Sequence, residues 1–570
     1  MTTSTTARAS GALRASSEQV LLLASLFWAL AANRAFLTAA LRGREWTDPA
    51  TWAFALALGV VLLSAHFLLL GLVANRWTLK PVLALLIVAT ALADHFMQRY
   101  GVFLDPSMLR NVLRSDSAEA RELLSWTLLA QLLLYAGLPL LLLWQVRIEH
   151  RPWPRAAMLR MVWLLLAGLL LGGTVLAVFQ PFSALMRNQR ELRYLVTPAN
   201  LVWSLGRVLA VDAQGASVPR QAIGLDAVVG PLASTKPRLV VLVVGETARA
   251  ANWGLNGYHR QTTPQLAQLP VINFSQATAC GTNTEVSLPC MFAPVGRRDY
   301  HEERIRNSES LLHVLARAGV GVHWRDNQSG CKGVCDGLSN DRVTPANAPG
   351  LCADGHCLDE GLLLGLDSRL ARLQGAELLV LHQMGNHGPG YARRYPSAFE
   401  RFQPACKEDD LSRCTIPEIV NAYDNALLYT DHVLARLIGK LQALAPRVDT
   451  ALIYVSDHGE SLGENNLFLH GMPYLIAPEV QKKVPMVIWL SEGMSRRAAP
   501  KANSTEARSA EGSPASQRDG VDPACLRRRA LLPVAHDHLF HTLLAMFDVR
   551  TALREPTLDL WSPCRTAAAP

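Results

Sequence analysis

No cysteine precedes residue 280, and charged residues make up only 18% of the 570-residue chain. The first absence rules out a disulfide scaffold in the N-terminal part and places all ten cysteines further on. The second is uneven. Residues up to about 182 are dominated by long apolar runs, while the remainder reads as an ordinary globular sequence. No cysteine pair has the CxxC spacing of a zinc knuckle. No small-residue cleavage site follows the first apolar run, which excludes a removable signal peptide. The runs are smooth and Leu-rich, without the polar breaks at mid-membrane that a transport path needs.

Five runs are long enough to cross a hydrocarbon layer of about 30 Å. They cover residues 20–41, 52–73, 81–97, 124–144 and 158–179. The first carries Asn33 and Arg34, so one end of it is interfacial or faces other helices. Arg8, Arg14, Arg76, Lys80, Arg147, Arg151, Arg155 and Arg160 favour a cytoplasmic N-terminus, against Arg99, Arg110, Arg114 and Arg121 in the loop on the other side. The cysteines break the tie. Eight of them form close pairs, Cys280 with Cys290, Cys331 with Cys335, Cys352 with Cys357 and Cys406 with Cys414. Close, even pairing reads as disulfides in an oxidising compartment, and five spans put this part outside. Cys525 and Cys564 are left as a weaker pair. The net charge of +8 suits a phosphate-bearing partner or an anionic membrane surface, although part of it serves only to orient the spans.

The expected domains are a transmembrane part over 1–182, a bridge over 183–236 and a globular part over 237–570. Within the first, residues 101–120 form an interfacial helix. Met108, Leu109, Val112 and Leu113 recur at helical spacing, and Asn111, Ser115 and Glu119 line up four apart. That polar row is either a solvated face or one wall of a site for a lipid head group. The continuous apolar run at 238–245 predicts a parallel strand buried on both faces. Further strands are expected at 320–324, 377–382, 450–456 and 484–490, with helices at 308–318 and 419–442. The alternation predicts an α/β sandwich. Residues 494–528, rich in Ala, Ser, Arg and Lys, read as an exposed flexible insertion.

The chemistry gathers where strands end. Ser456-Asp457-His458-Gly459-Glu460 follows an apolar run and offers a carboxylate and an imidazole to one divalent metal, with His470 as a third candidate ligand. Glu246 follows the first strand, and His387 lies a short loop beyond another. Cys280 and Cys290 close a small loop carrying Thr282, Thr284 and Ser287, any of which could be a nucleophile once a metal or base takes its proton. Lys332, between Cys331 and Cys335, is placed to hold a phosphate oxygen.

Taken together, Glu246-Thr247, Cys280-Gly281-Thr282-Asn283-Thr284, Pro289-Cys290-Met291-Phe292, Asn386-His387-Gly388-Pro389, Ser456 through Glu464 and Leu469-His470-Gly471-Met472 resemble the lipid A phosphoethanolamine transferases, which include the polymyxin-resistance enzymes. The likeness runs along nearly the whole chain. It implies a five-helix membrane domain and an alkaline-phosphatase-like catalytic domain in the periplasm of a multi-pass inner-membrane protein. By that pattern Glu246, Thr284, Asp457 and His458 hold one Zn2+, with a second ion as an option, and Thr284 is the nucleophile. His387 and His470 contact the phosphoryl group or the second ion, with Lys332 and Gln328 beside them. Asn111, Ser115 and Glu119 hold the donor head group. The implied reaction moves phosphoethanolamine from phosphatidylethanolamine to a lipid A phosphate or lipopolysaccharide core through phospho-Thr284. It involves membrane lipid but no nucleic acid, and is carried out by a monomer. A phosphoglycerol transferase or a sulfatase-like hydrolase is the alternative on the same scaffold. Two positions depart from the family pattern. Glu285 stands where a small apolar residue is usual, and Asn386 where some members have serine. The stretch Ala535-His536-Asp537-His538-Leu539-Phe540-His541 reads as a supporting helix.

Overall fold

The computed structural model describes residues 13–115, 117–217, 219–230, 236–353, 355–495 and 520–565. They form two compact units, one of residues 1–109 with 124–207 and one of 110–123 with 208–570.

In the first unit, helices Pro49–Val73, Leu79–Tyr100, Trp126–Gln145 and Trp153–Ala177 are long and apolar enough to cross a membrane. The first expected span is instead a bent pair, Ser17–Ala32 and Arg34–Ala40, meeting at 55°. Counting the pair as one span gives five. The bend has a local cause. Asn33 is buried, its amide donates to the carbonyls of Trp28 and Thr197 at 2.8 Å each, and its side-chain oxygen accepts the Thr197 N–H at 2.8 Å. An amide placed so deep in apolar surroundings must find such partners, and here they lie where the helix breaks. In helix Trp153–Ala177 only Ala167 is buried, so its Leu-rich surface is left for lipid.

The second unit is built on an eight-stranded sheet. Its strands are β1 Arg238–Gly245, β2 Ile272–Thr278, β3 Gly321–Asp326, β4 Asn340–Arg342, β5 Ala376–His382, β6 Asp449–Ser456, β7 Lys483–Leu490 and β8 Val534–Ala535. In space the order is β8-β2-β7-β6-β1-β5-β3-β4. Every residue of β1 and β6 is buried, as their unbroken apolar runs require of strands covered on both faces. Strands β6, β1, β5 and β3 are mutually parallel, and their ends are level. Ser456 pairs with Gly245, His382 with Val244, and His382 with Asp326. The residues that follow all four strands therefore emerge along one edge. Beyond β6 the direction reverses, with β7 antiparallel to both β6 and β2.

Helix Ile416–Leu444 covers one face. Its capping box at Thr415 and Glu418 and its early proline set the start, and an apolar stripe from Ile419 to Leu441 sets the docking face. Burying each such Leu, Ile or Val contributes about 1.5–3 kcal/mol. Residues 496–519 of the expected insertion lie outside the described residues, but its C-terminal end needs correcting. Val521 is buried and Pro523–Arg529 is a helix, because Asp522 caps it and a disulfide fastens Cys525 to Cys564. The other bridges are Cys280–Cys290, Cys331–Cys335, Cys352–Cys357 and Cys406–Cys414.

Candidate metal and phosphoryl-transfer centre

Glu246 is the first residue after β1, and Asp457 and His458 are the first two after β6. Since β1 and β6 pair in register, these three side chains arrive together. Each offers a ligand atom within 4.8 Å of the others, and all three are fully buried. His458 Nδ1 lies 2.9 Å from the Gly459 carbonyl and must donate to it, which turns Nε2 toward the carboxylates. Nε2 is 3.2 Å from Glu246 Oε1 and 3.4 Å from Asp457 Oδ2. Asp457 Oδ1 accepts the backbone N–H groups of His458 (2.8 Å) and Thr247 (3.3 Å). Its buried Oδ2 makes no hydrogen bond among the described residues.

An imidazole nitrogen and two buried carboxylates facing one point are a donor set that suits a divalent cation. The titration behaviour reflects this. Burial disfavours the His458 cation, yet Asp457 and Glu246 outweigh it and push the imidazole up to about 10. Burial and the neighbouring Glu246 push Asp457 up to about 6. Burial also works to raise Glu246, but His458, His387 and His470 hold it well below the usual carboxylate range. The orphaned Asp457 oxygen, the locked His458 tautomer and the mixed oxygen and nitrogen donors fit a bound metal cofactor.

Thr284 opens the short helix Thr284–Met291, capped by the Asn283 side chain accepting from Val286 N–H at 3.0 Å. Its hydroxyl lies 3.1 Å from Glu246 Oε2 and 3.4 Å from His458 Nε2. The other two hydroxyls of the loop are committed elsewhere. Thr282 donates to the Met472 carbonyl at 2.6 Å, and Ser287 donates to the Asp457 carbonyl. Gln328 Nε2 donates to Glu246 Oε2 at 3.1 Å. His387 and His470 stack edge to face at 5.6 Å, and His470 lies 4.4 Å from His458 ring to ring. Burial pushes His387 down to about 3. Lys332 contacts Glu285 at 3.3 Å and donates to Ser329 at 2.7 Å. Ser115 turns back onto the Asn111 carbonyl, and among the described residues no hydrogen bond joins either of them to this cluster. The Glu119 side chain lies outside the described residues.

Several residues that hold the site in shape escaped the sequence reading. Glu460 accepts from His470 Nδ1 at 2.8 Å and from Tyr391 at 2.5 Å, which places the lone pair of the neutral His470 ring on Nε2. Asp359 accepts the N–H groups of Met384 and Gly385 at 2.9 Å and so shapes the loop carrying His387. Asp326, paired with His382 at 2.8 Å, accepts from the Gln328 and Gly330 N–H groups. Gly385 has a positive φ of 53°, and a Cβ there would stand 2.7 Å from the Glu246 carbonyl. The acidity of Glu460 right after the Asp-His pair was the one available signal. Asp359 and Asp326 act across long sequence separations and carried none.

Residues 238–549 match the Sulfatase family, and residues 62–213 match the family described as Phosphoethanolamine transferase EptA/EptB. The chain is 36% identical over 558 residues to phosphoethanolamine transferase EptA of Escherichia coli K12, covering 96% of each. It is 40% identical over 448 residues to phosphatidylethanolamine transferase Mcr-1 of Escherichia coli, covering 76% of this chain and 83% of that protein. Among solved structures, the integral membrane lipooligosaccharide phosphoethanolamine transferase A of Neisseria meningitidis superposes with a TM-score of 0.89 at 34% identity, covering 97% of this chain and all of that one. The chain thus belongs to the phosphoethanolamine transferases of EptA and Mcr type, enzymes that carry a sulfatase domain of the alkaline phosphatase superfamily.

Proposed function

We propose that the chain transfers phosphoethanolamine from phosphatidylethanolamine to a phosphate of lipid A, or to the lipopolysaccharide core, through a phospho-Thr284 intermediate. The observation that carries this reading is that, of the three hydroxyls in the Cys280–Cys290 loop, only that of Thr284 faces the Glu246, Asp457 and His458 cluster. Glu246, Asp457, His458 and the Thr284 oxygen would hold one Zn2+, and His387 with His470 would meet the phosphoryl group or a second ion. When bound, zinc supplies Lewis-acid stabilisation of charge and lowers the pKa of a coordinated hydroxyl.

The Thr284 hydroxyl donates to Glu246, which orients Oγ1, and its proton is lost to solvent on activation. Thr284 Oγ1 forms the new bond to phosphorus as the bond to the diacylglycerol oxygen breaks, and that oxygen takes up a proton. Lys332 balances charge on the phosphoryl oxygens, with Gln328 and the two histidines placed beside them as hydrogen-bond partners. An acceptor oxygen then bonds to phosphorus as the P–Oγ1 bond breaks, and the released Thr284 oxygen takes a proton back from solvent. In the family setting the enzyme sits in the bacterial inner membrane as a monomer with this centre in the periplasm. Asn111, Ser115 and Glu119 would contact the donor head group. The apolar helices keep both lipid substrates near the site.

Mass spectrometry of lipid A from cells with and without the protein tests the reading. A gain of one phosphoethanolamine unit that depends on Thr284 is expected. Free phosphoethanolamine released without any modified glycolipid would instead favour the hydrolase alternative.

A further inference from the structure

Glu285, directly after Thr284, is fully buried. Its carboxylate is met by three cations. Lys332 Nζ lies 3.3 Å from Oε1, and Arg114 and Arg306 each lie 3.2 Å from Oε2. The Lys332 and Arg306 side chains are only 4% and 12% exposed. Arg306 and Arg114 reach on to Glu302 and Asp212, both of which also pair with the buried Arg110. In this network four cations face three carboxylates. Lys332, Arg306 and Arg114 also line a cavity of about 510 Å³ that includes Ser329, the neighbour of the Gln328 that touches Glu246. An anion can therefore reach these cations, and Glu285 already occupies their common focus.

We infer that Glu285 is a built-in counter-anion that competes with phosphate for Lys332, and thereby sets how tightly the site holds a phosphoryl group. The inference rests on the reading above that Lys332 faces that group. A buried ammonium shared with a carboxylate has less attraction left for a second anion. Once the carboxylate is neutralised, the buried cations are undercompensated and phosphate becomes the replacement. Glu285 is in this sense a specificity-determining residue: it weakens the hold on phosphate without contacting it.

Calorimetric titration of the full-length, zinc-loaded protein in detergent with inorganic phosphate tests this. In Glu285→Gln the Kd for phosphate should fall roughly tenfold. Lys332→Met should raise it, and the double variant should show little of the Glu285→Gln gain. Should Glu285→Gln fail to fold, Glu285→Asp, which keeps the charge but shortens its reach, should still lower Kd a few-fold. An unchanged or higher Kd in the folded variant overturns the inference while leaving the proposed function intact, provided Lys332→Met weakens binding. If Lys332→Met leaves phosphate binding untouched, the placement of Lys332 against the phosphoryl group fails as well.

Discussion

The Thr284 hydroxyl lies within 3.4 Å of a carboxylate and an imidazole, whereas Ser287, three residues on, spends its hydroxyl on the Asp457 carbonyl. The two residues should therefore fail differently when truncated. Thr284→Ala is expected to lower transfer by roughly 10⁴-fold or more while the protein still folds, because the proposed nucleophile goes with its hydroxyl. Ser287→Ala should instead cost stability, about 1–2 kcal/mol from the lost buried hydrogen bond, with transfer reduced only as far as Asp457 shifts. Activity on lipid substrate alongside thermal unfolding of each variant separates the two. From sequence the three hydroxyls were indistinguishable, since the choice depends on what each faces across the fold. Asp457 and His458 were legible because they are neighbours at the end of an apolar run. Glu460 and Asp359 were not, because they act only by holding other residues.

The elements that position the site differ in how openly they were written. β1 and β6 announce themselves as continuous apolar runs. β2 does not, because its buried and exposed residues alternate irregularly over Ile272–Thr278. The bend at Asn33 is set by Thr197, a partner 164 positions away. One short element has a testable electrostatic role. Glu122, buried at the end of helix Ser117–Glu122, pairs with Arg394 at 2.6 Å and His356 at 3.0 Å, and Arg394 in turn donates to the His387 carbonyl at 2.7 Å. Burial works to raise the Glu122 carboxyl, but Arg394 and His356 win and bring it from 4.5 down to about 2. A depressed carboxylate stabilises the fold above its unfolded value and loses that contribution as pH falls. Glu122→Gln should therefore lower the unfolding free energy by up to about 3 kcal/mol at pH 7. The gap to the parent protein should close between pH 4.5 and about 2. Thermal melts of both proteins across that range check the sign. A second element-scale test concerns the nucleophile loop. Replacing Cys280 and Cys290 with serine opens a loop of separation 10 and should remove about 2–3 kcal/mol of constraint, lowering transfer more than it lowers expression.

For the whole molecule, one condition decides whether the enzyme works. Glu246 and Asp457 bring two carboxylates to one point, so on the proposed metal assignment chelation should both abolish transfer and lower the thermal midpoint, and added zinc should restore both. At a free zinc concentration one hundred times Kd the stabilisation is about 2.7 kcal/mol. Chelated protein that keeps full activity would contradict the metal assignment. The level ends of β6, β1, β5 and β3 carry a broader consequence. Glu246, Asp457 and His458 directly follow strand ends and His387 lies five residues past another, all on a single rim. New sequence can therefore be spliced in away from that rim, or whole surface segments exchanged between relatives, without moving the chemistry, so that acceptor choice can drift while the catalytic apparatus stays fixed.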